Sequence, residues 1–243
     1  MVKLDLLAFG AHPDDVELSC SGLLLVEKFR GKKTGVVDLT EGELGTRGNR
    51  DTREQEAAEA AKVLQLDVRE NLKLPDGFFQ NDREAQLKVI AMIRKYRPEV
   101  VLCNAPEDRH PDHGRAAQLV SDASFLAGLS RIETFDGIQP QDPWRPKYVL
   151  HYIQDRPLDP DFLIDITPVF ELKMNSIRAY KTQFHHPDVE GPETYISSPQ
   201  FMDSLSATNR LLGKRIGVAY AEGYITRKII GLKNLDSLIL QST

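Results

Sequence analysis

The tripeptide His-Pro-Asp occurs three times in the chain, at 12–14, 110–112 and 186–188, where composition alone predicts roughly 0.03 occurrences. Two copies are extended by one more donor, giving His12-Pro13-Asp14-Asp15 and His110-Pro111-Asp112-His113. Imidazole and carboxylate without a neighbouring thiolate suit a catalytic zinc, which takes three protein ligands and keeps a fourth position open. Pro-Asp is also ordinary turn and helix-start chemistry, with the acid favoured near a helix N-terminus. Any one copy could therefore be structural.

Position gives two copies their weight. Residues 4–9 form a short apolar run, and 15–29 carry apolar residues at helical spacing, so strand is followed by helix. The alternation continues with strands at 34–39, 68–74 and 100–104 and helices at 50–66, 81–96 and 112–127. Such βαβ units imply a doubly wound, Rossmann-like, mostly parallel α/β sheet with helices on both faces. In such a sheet ligands bind beyond the carboxyl ends of the strands. The first copy follows the first strand and the second lies a short loop after the fourth, so both reach one rim. Three imidazoles and three carboxylates gathered there are costly to bury unless a cation or a reaction uses them.

The rest of the chain is less regular. Residues 135–146 read as an irregular connection. Strands are expected at 147–153, 162–166 and 223–230, helices at 168–183 and 199–219, and a turn-rich loop at 185–198. We read one domain over 1–243, with a core at 1–134 and a smaller C-terminal extension at 135–243 that completes the sheet. The third His-Pro-Asp reads as a turn, and His151, in an apolar run, as a core histidine.

Composition narrows the function classes. With 41% apolar residues and a formal charge of −5, the chain can bury roughly 70% of its unfolded surface without staples, and it lacks the basic footprint that nucleic acid requires. Small-molecule partners are expected. Cys20 and Cys103, each in an apolar stretch, read as buried free thiols of a reducing compartment. No apolar run approaches the ~20 residues that span a bilayer, and Asp5 interrupts any signal-like segment. The expected location is cytoplasmic. A dinucleotide binder is disfavoured, because the turn after the first strand has only Gly10 where G-x-G-x-x-G is needed.

The two extended motifs resemble the signatures of the PIG-L/LmbE-like family of zinc-dependent N-acetylglucosamine deacetylases. The resemblance continues through Asp38-Leu39-Thr40-Glu41-Gly42, Arg53, Glu107-Asp108-Arg109, Ala179-Tyr180-Lys181-Thr182-Gln183-Phe184 and Tyr220-Ala221-Glu222-Gly223. It is strongest toward the bacillithiol-biosynthesis branch, which acts on N-acetylglucosaminyl-malate. The resemblance implies one zinc per chain on His12, Asp15 and His113, and a homo-oligomer, a hexamer. Asp14, unligated beside the metal, suits a general base, since zinc already lowers the pKa of water from roughly 15.7 to 7. His110 is expected to hold the oxyanion and protonate the departing amine, with Asp112 orienting it; Asp112 alone would equally suit a helix cap.

Arg53 is expected to meet the aglycone carboxylates, followed by Arg109 and Arg145, because guanidinium pairs well with carboxylate. The glycine-rich segment 41–48, with Arg47, opens on the same rim. Another N-acetylglucosamine substrate, chitobiose-like or mycothiol-like, is the alternative within the enzyme class. A non-catalytic metal- or sugar-binding protein is the alternative outside it.

Overall fold

A computed structural model describes residues 2–232 and 234–236; the end of the expected domain, 237–243, lies outside them. Four strand-to-helix units open the chain. Strand β1 (Leu6–Gly10) leads to α1 (Asp15–Ser19) and α2 (Ser21–Phe29), β2 (Thr34–Thr40) to α3 (Arg50–Val63), β3 (Val68–Leu74) to α4 (Arg83–Tyr96), and β4 (Val100–Cys103) to α5 (Pro111–Leu126). Helix ends are set by local chemistry: Asn49 caps α3 reciprocally with Thr52, and Asp82 caps α4 through the N–H of Ala85. The expected irregular stretch holds a two-residue hairpin, β5 (Phe135–Asp136) and β6 (Gln139–Pro140). Then follow β7 (Tyr148–Tyr152), β8 (Phe162–Asp165), α6 (Phe170–Arg178), α7 (Pro199–Ile216) and β9 (Ala221–Thr226).

Seven strands form one sheet in the order β3-β2-β1-β4-β7-β9-β8. The pairs β1–β2, β2–β3, β1–β4 and β4–β7 are parallel, and β9 runs antiparallel to β7 and β8. Strands β7, β8 and β9 of the C-terminal part thus lie in the same sheet as β1 to β4. The chain winds outward from β1 to β3 and restarts at β4 on the other side of β1. The reversal opens a crevice beyond the ends of β1 and β4. Alternation along the strands fills both faces: Leu7, Phe9, Val37 and Val101 pack with Ile90 and Val120 on one side, and Leu6, Ala8, Val36 and Leu102 with Val16 and Leu24 on the other.

The expected single helix over 15–29 is broken at Cys20 (φ −140°, ψ 9°). Apolar spacing runs through the break because α1 and α2 both bury residues against the sheet. The cause lies far away in the sequence. Lys173 Nζ donates to the carbonyls of Glu17 (3.2 Å) and Leu18 (2.7 Å), while the N–H groups of Gly22 and Leu23 donate to Glu222 at 2.8 Å each. Lys173 and Glu222 pair at 2.8 Å with side chains 0% and 1% exposed. The pair therefore satisfies the end of one helix and the start of the next. Gly22 is required for it, since a Cβ there would lie 2.7 Å from Glu222 Oε1. The expected helix at 168–183 likewise shortens, to a 3-10 turn (Thr167–Val169) and α6.

Candidate active site

Ala11 fixes the loop after β1 to its neighbours on both sides. Its carbonyl accepts from Thr40 N (3.1 Å) and Thr40 Oγ1 (2.8 Å) at the end of β2, and its N–H donates to Asn104 Oδ1 (3.0 Å) after β4. The two motifs therefore meet. The imidazole centres of His12, His110 and His113 lie 4.7, 5.6 and 5.3 Å apart, pairwise.

Asp15 stands between two of these rings, with Oδ1 3.2 Å from His113 Nε2 and Oδ2 3.6 Å from His12 Nδ1. Its carboxylate also accepts from the His12 N–H, Asn104 Nδ2 and Gln154 Nε2, each at 3.0 Å. Burial opposes ionisation, yet His113 and His12 hold this acid well below the usual carboxylate range. Burial would likewise push His113 down, but Asp15 and Asp108, the latter 2.5 Å from His113 Nδ1, lift it to about 9. His12 faces Asp76 Oδ1 at 3.0 Å and Asp112 Oδ2 at 3.3 Å through Nε2. Despite burial, these carboxylates and Asp15 hold it well above the histidine range.

Asp14 precedes α1 with φ 120°, ψ −24°, a region L-residues rarely adopt, and makes no capping bond with its side chain. The carboxylate is thereby freed from the helix. It lies 3.3 Å from Arg53 Nη2, and burial raises it to about 7 against the pull of Arg53.

Arg53 departs from expectation. Its guanidinium is 6% exposed and donates to Pro13 O (2.6 Å) and Gly42 O (3.2 Å) besides Asp14. Gly42, at φ 65°, admits it: a Cβ would sit 2.3 Å from Arg53 Nη1. The arginine expected to meet substrate carboxylates thus braces Asp14 from within. Arg145 is a second correction. It donates to Phe125 O (2.9 Å) and stacks 4.2 Å from the Phe125 ring, near the end of α5 opposite the motif, roughly 20 Å away at 1.5 Å per residue. Arg109 does reach the crevice.

The link between His110 and Asp112 also differs from the expected one. The Asp112 carboxylate accepts from Gly77 N (2.8 Å) and pairs with Arg115 (2.9 Å) as well as facing His12. His110 is oriented instead by the backbone: its Nδ1 accepts the Asp112 N–H (3.3 Å) and caps α5. That leaves the proton on Nε2. Burial, with His12 and His113 nearby, lowers its pKa. The third motif repeats this turn, His186 Nδ1 accepting from Asp188 N at 3.3 Å. His151 is buried on Asn104 O (2.8 Å), a core histidine as expected. Cys20 and Cys103 are free and buried.

Sequence reasoning missed Asp76 and the carboxamides of Asn104 and Gln154. Asp76 follows β3, so the rim argument applied to the third strand would have found it; it also accepts from Leu44 N (2.9 Å), tying His12 to the 41–48 segment. Arg47 in turn donates to Thr182 O (2.6 Å), Val189 O (3.2 Å) and Pro192 O (3.0 Å). The result is a cavity of about 640 Å³ with the imidazoles in its wall and the 183–212 region over it. Among the described residues, His12, His110 and His113, and separately His12, Asp76 and Asp112, bring donor atoms within 4.8 Å of one another. This donor set fits a divalent cation: nitrogen and oxygen ligands of opposing charge preference, whose imidazole protons a metal would displace. No described helix is long and apolar enough to cross a membrane.

Residues 7–124 match the family model described as PIG-L, GlcNAc-PI de-N-acetylase. The diacetylchitobiose deacetylase of Thermococcus kodakarensis is 28% identical over 89% of this chain and 80% of its own. A probable N-acetyl-alpha-D-glucosaminyl L-malate deacetylase 2 of Bacillus subtilis is 26% identical over 75% and 84%. Among solved structures, the conserved protein TT1542 of Thermus thermophilus superposes with a TM-score of 0.83 at 35% identity, covering 95% of this chain and 98% of that one.

Proposed function

The chain belongs to the PIG-L family, and from that premise we propose that it hydrolyses the N-acetyl amide of an N-acetylglucosamine conjugate. The observation that carries this reading is Asp14, a buried carboxylate braced by Arg53 beside the imidazole cluster at the floor of the cavity. A binding protein has no use for such a group; a hydrolase needs a base there. His12, Asp15 and His113 would hold zinc, which when bound supplies a Lewis acid for the acetyl oxygen and lowers the pKa of water.

Asp14 takes the proton of the attacking water. His110, with Nδ1 fixed by the Asp112 N–H, offers its Nε2–H as a hydrogen bond to the developing oxyanion, and the proton that Asp14 took from water goes on to the departing amine. Asp112 acts on His12 and on Gly77 of the loop, rather than on His110.

For the aglycone, malate remains a reading supported by the Bacillus subtilis relative and by Arg109, which is half-exposed at the cavity. An uncharged saccharide is supported by the occupied guanidinium groups of Arg47 and Arg53 and by the Thermococcus relative. Self-association is part of the proposal, with Phe135 and Ile138 exposed at 56% and 91%; sedimentation at several concentrations tests it. The activity itself is tested by acetate release from zinc-loaded protein given N-acetylglucosamine, N,N′-diacetylchitobiose or N-acetylglucosaminyl-malate. Release from at least one is expected, and none from any would overturn the reading.

A further inference from the structure

At the open side of the cavity Tyr195 is 56% exposed, yet its ring is held on several sides. The hydroxyl donates to Asp155 Oδ1 at 2.8 Å, the guanidinium carbon of Arg109 lies 4.5 Å from the ring centre, and Phe201 meets the ring edge-on at 5.6 Å. Arg109 Nε in turn stands 3.4 Å from Asp155 Oδ2. Fixing an exposed side chain costs conformational entropy in the free protein. A ligand that uses the fixed ring is spared that cost on binding.

We infer that Tyr195, Asp155 and Arg109 form the aglycone subsite, built for an uncharged, hydroxyl-rich ring rather than for a dicarboxylate. The inference rests on the de-N-acetylase reading above. In an N-acetylglucosamine conjugate the aglycone hangs from C1, next to the carbon that bears the acetamide, so its subsite must adjoin the catalytic groups. Arg109 immediately precedes His110, and Asp155 immediately follows Gln154, which holds Asp15.

The chemistry selects the ligand. Arg109 and Asp155 neutralise each other and together present N–H donors beside carboxylate acceptors, which vicinal hydroxyls, each both donor and acceptor, can satisfy at once. The Tyr195 ring offers an apolar face to the C–H side of a pyranose. A dicarboxylate would find Arg109 already paired and would meet the like charge of Asp155.

The test is the kcat/KM of three substrates, N-acetylglucosamine, N,N′-diacetylchitobiose and N-acetylglucosaminyl-malate, measured on zinc-loaded wild type, Tyr195→Ala, Tyr195→Phe and Asp155→Asn. Tyr195→Ala should lower the ratio of disaccharide to monosaccharide about tenfold, the scale of one lost aromatic contact. Tyr195→Phe keeps the ring but loses its tie to Asp155, and should lower the ratio about threefold. Asp155→Asn should raise the malate conjugate relative to the disaccharide up to about fivefold. A disaccharide ratio unmoved by both tyrosine variants would overturn the subsite. Unmoved malate preference in Asp155→Asn would overturn its selectivity for uncharged ligands. Absence of turnover in the wild type on all three would instead overturn the de-N-acetylase reading, so the two failures are distinct.

Discussion

At the floor of the cavity Asp15 accepts from a backbone N–H, from Asn104 and from Gln154, while Arg53 is almost wholly buried against Asp14 and two carbonyls. Over the cavity, Arg47 reaches backbone carbonyls of a turn-rich segment, and Tyr195 and Arg109 remain largely open to solvent. Floor contacts are charged and dry, so each is strong and its loss costly. Roof contacts compete with water and are individually weak. The difference separates two tasks: a bond-breaking centre must hold fixed geometry, whereas the surface that chooses an aglycone can vary without disturbing it.

The comparison breaks most visibly if floor residues prove dispensable. His113→Ala should reduce bound zinc from about one per chain to a small fraction and abolish deacetylation; metal analysis after dialysis checks it, and full occupancy in the variant would reject His113 as a ligand. Asp14→Asn should keep the zinc and still lose about 100-fold or more in kcat, the scale of removing a general base. Activity and metal content measured on one preparation separate the two effects.

A sharper version concerns groups that touch no substrate. Asn104→Ala removes one of the two carboxamides on Asp15 and the bond to Ala11, and should weaken zinc about 10- to 100-fold in a chelator competition. Retention of wild-type affinity would show that Asp15 needs no support. Arg47→Ala, at the roof, should act least: KM rises by about 2- to 5-fold and zinc affinity is unchanged. Zinc loss in that variant would erase the division between floor and roof.

What could be read from the sequence follows the same division. The first two His-Pro-Asp motifs could be placed because each follows a strand of the parallel part of the sheet, and strand ends in a parallel sheet share a rim. The sequence around Arg53 gives no sign of its partners Pro13 O and Gly42 O, since these are backbone atoms that carry no residue signature. Guanidinium chemistry alone does not distinguish Arg145 from Arg109; only the fold puts Arg145 on Phe125, at the end of α5 away from the motif. The break at Cys20 was hidden for a related reason: apolar periodicity reports burial, and both halves are buried, while the groups that cut the helix lie beyond residue 170. Asp76 had no motif at all, only its place after β3.

That break has a consequence for how the protein is made. Glu222 stands 200 residues beyond Gly22, which at ~5–20 residues per second separates their synthesis by about 10–40 s. During that interval the N–H groups of Gly22 and Leu23 have no carboxylate to meet, and the ribosome has yet to deliver the strand that supplies it. The first motif is translated almost at once, but the helix corner that follows it, at Gly22 and Leu23, is completed only once β9 has been made. A nascent chain stalled at residue 200 should therefore take up zinc poorly, and release of the remaining residues should restore uptake; equal uptake by the stalled chain would show that the corner matures without its distant clasp.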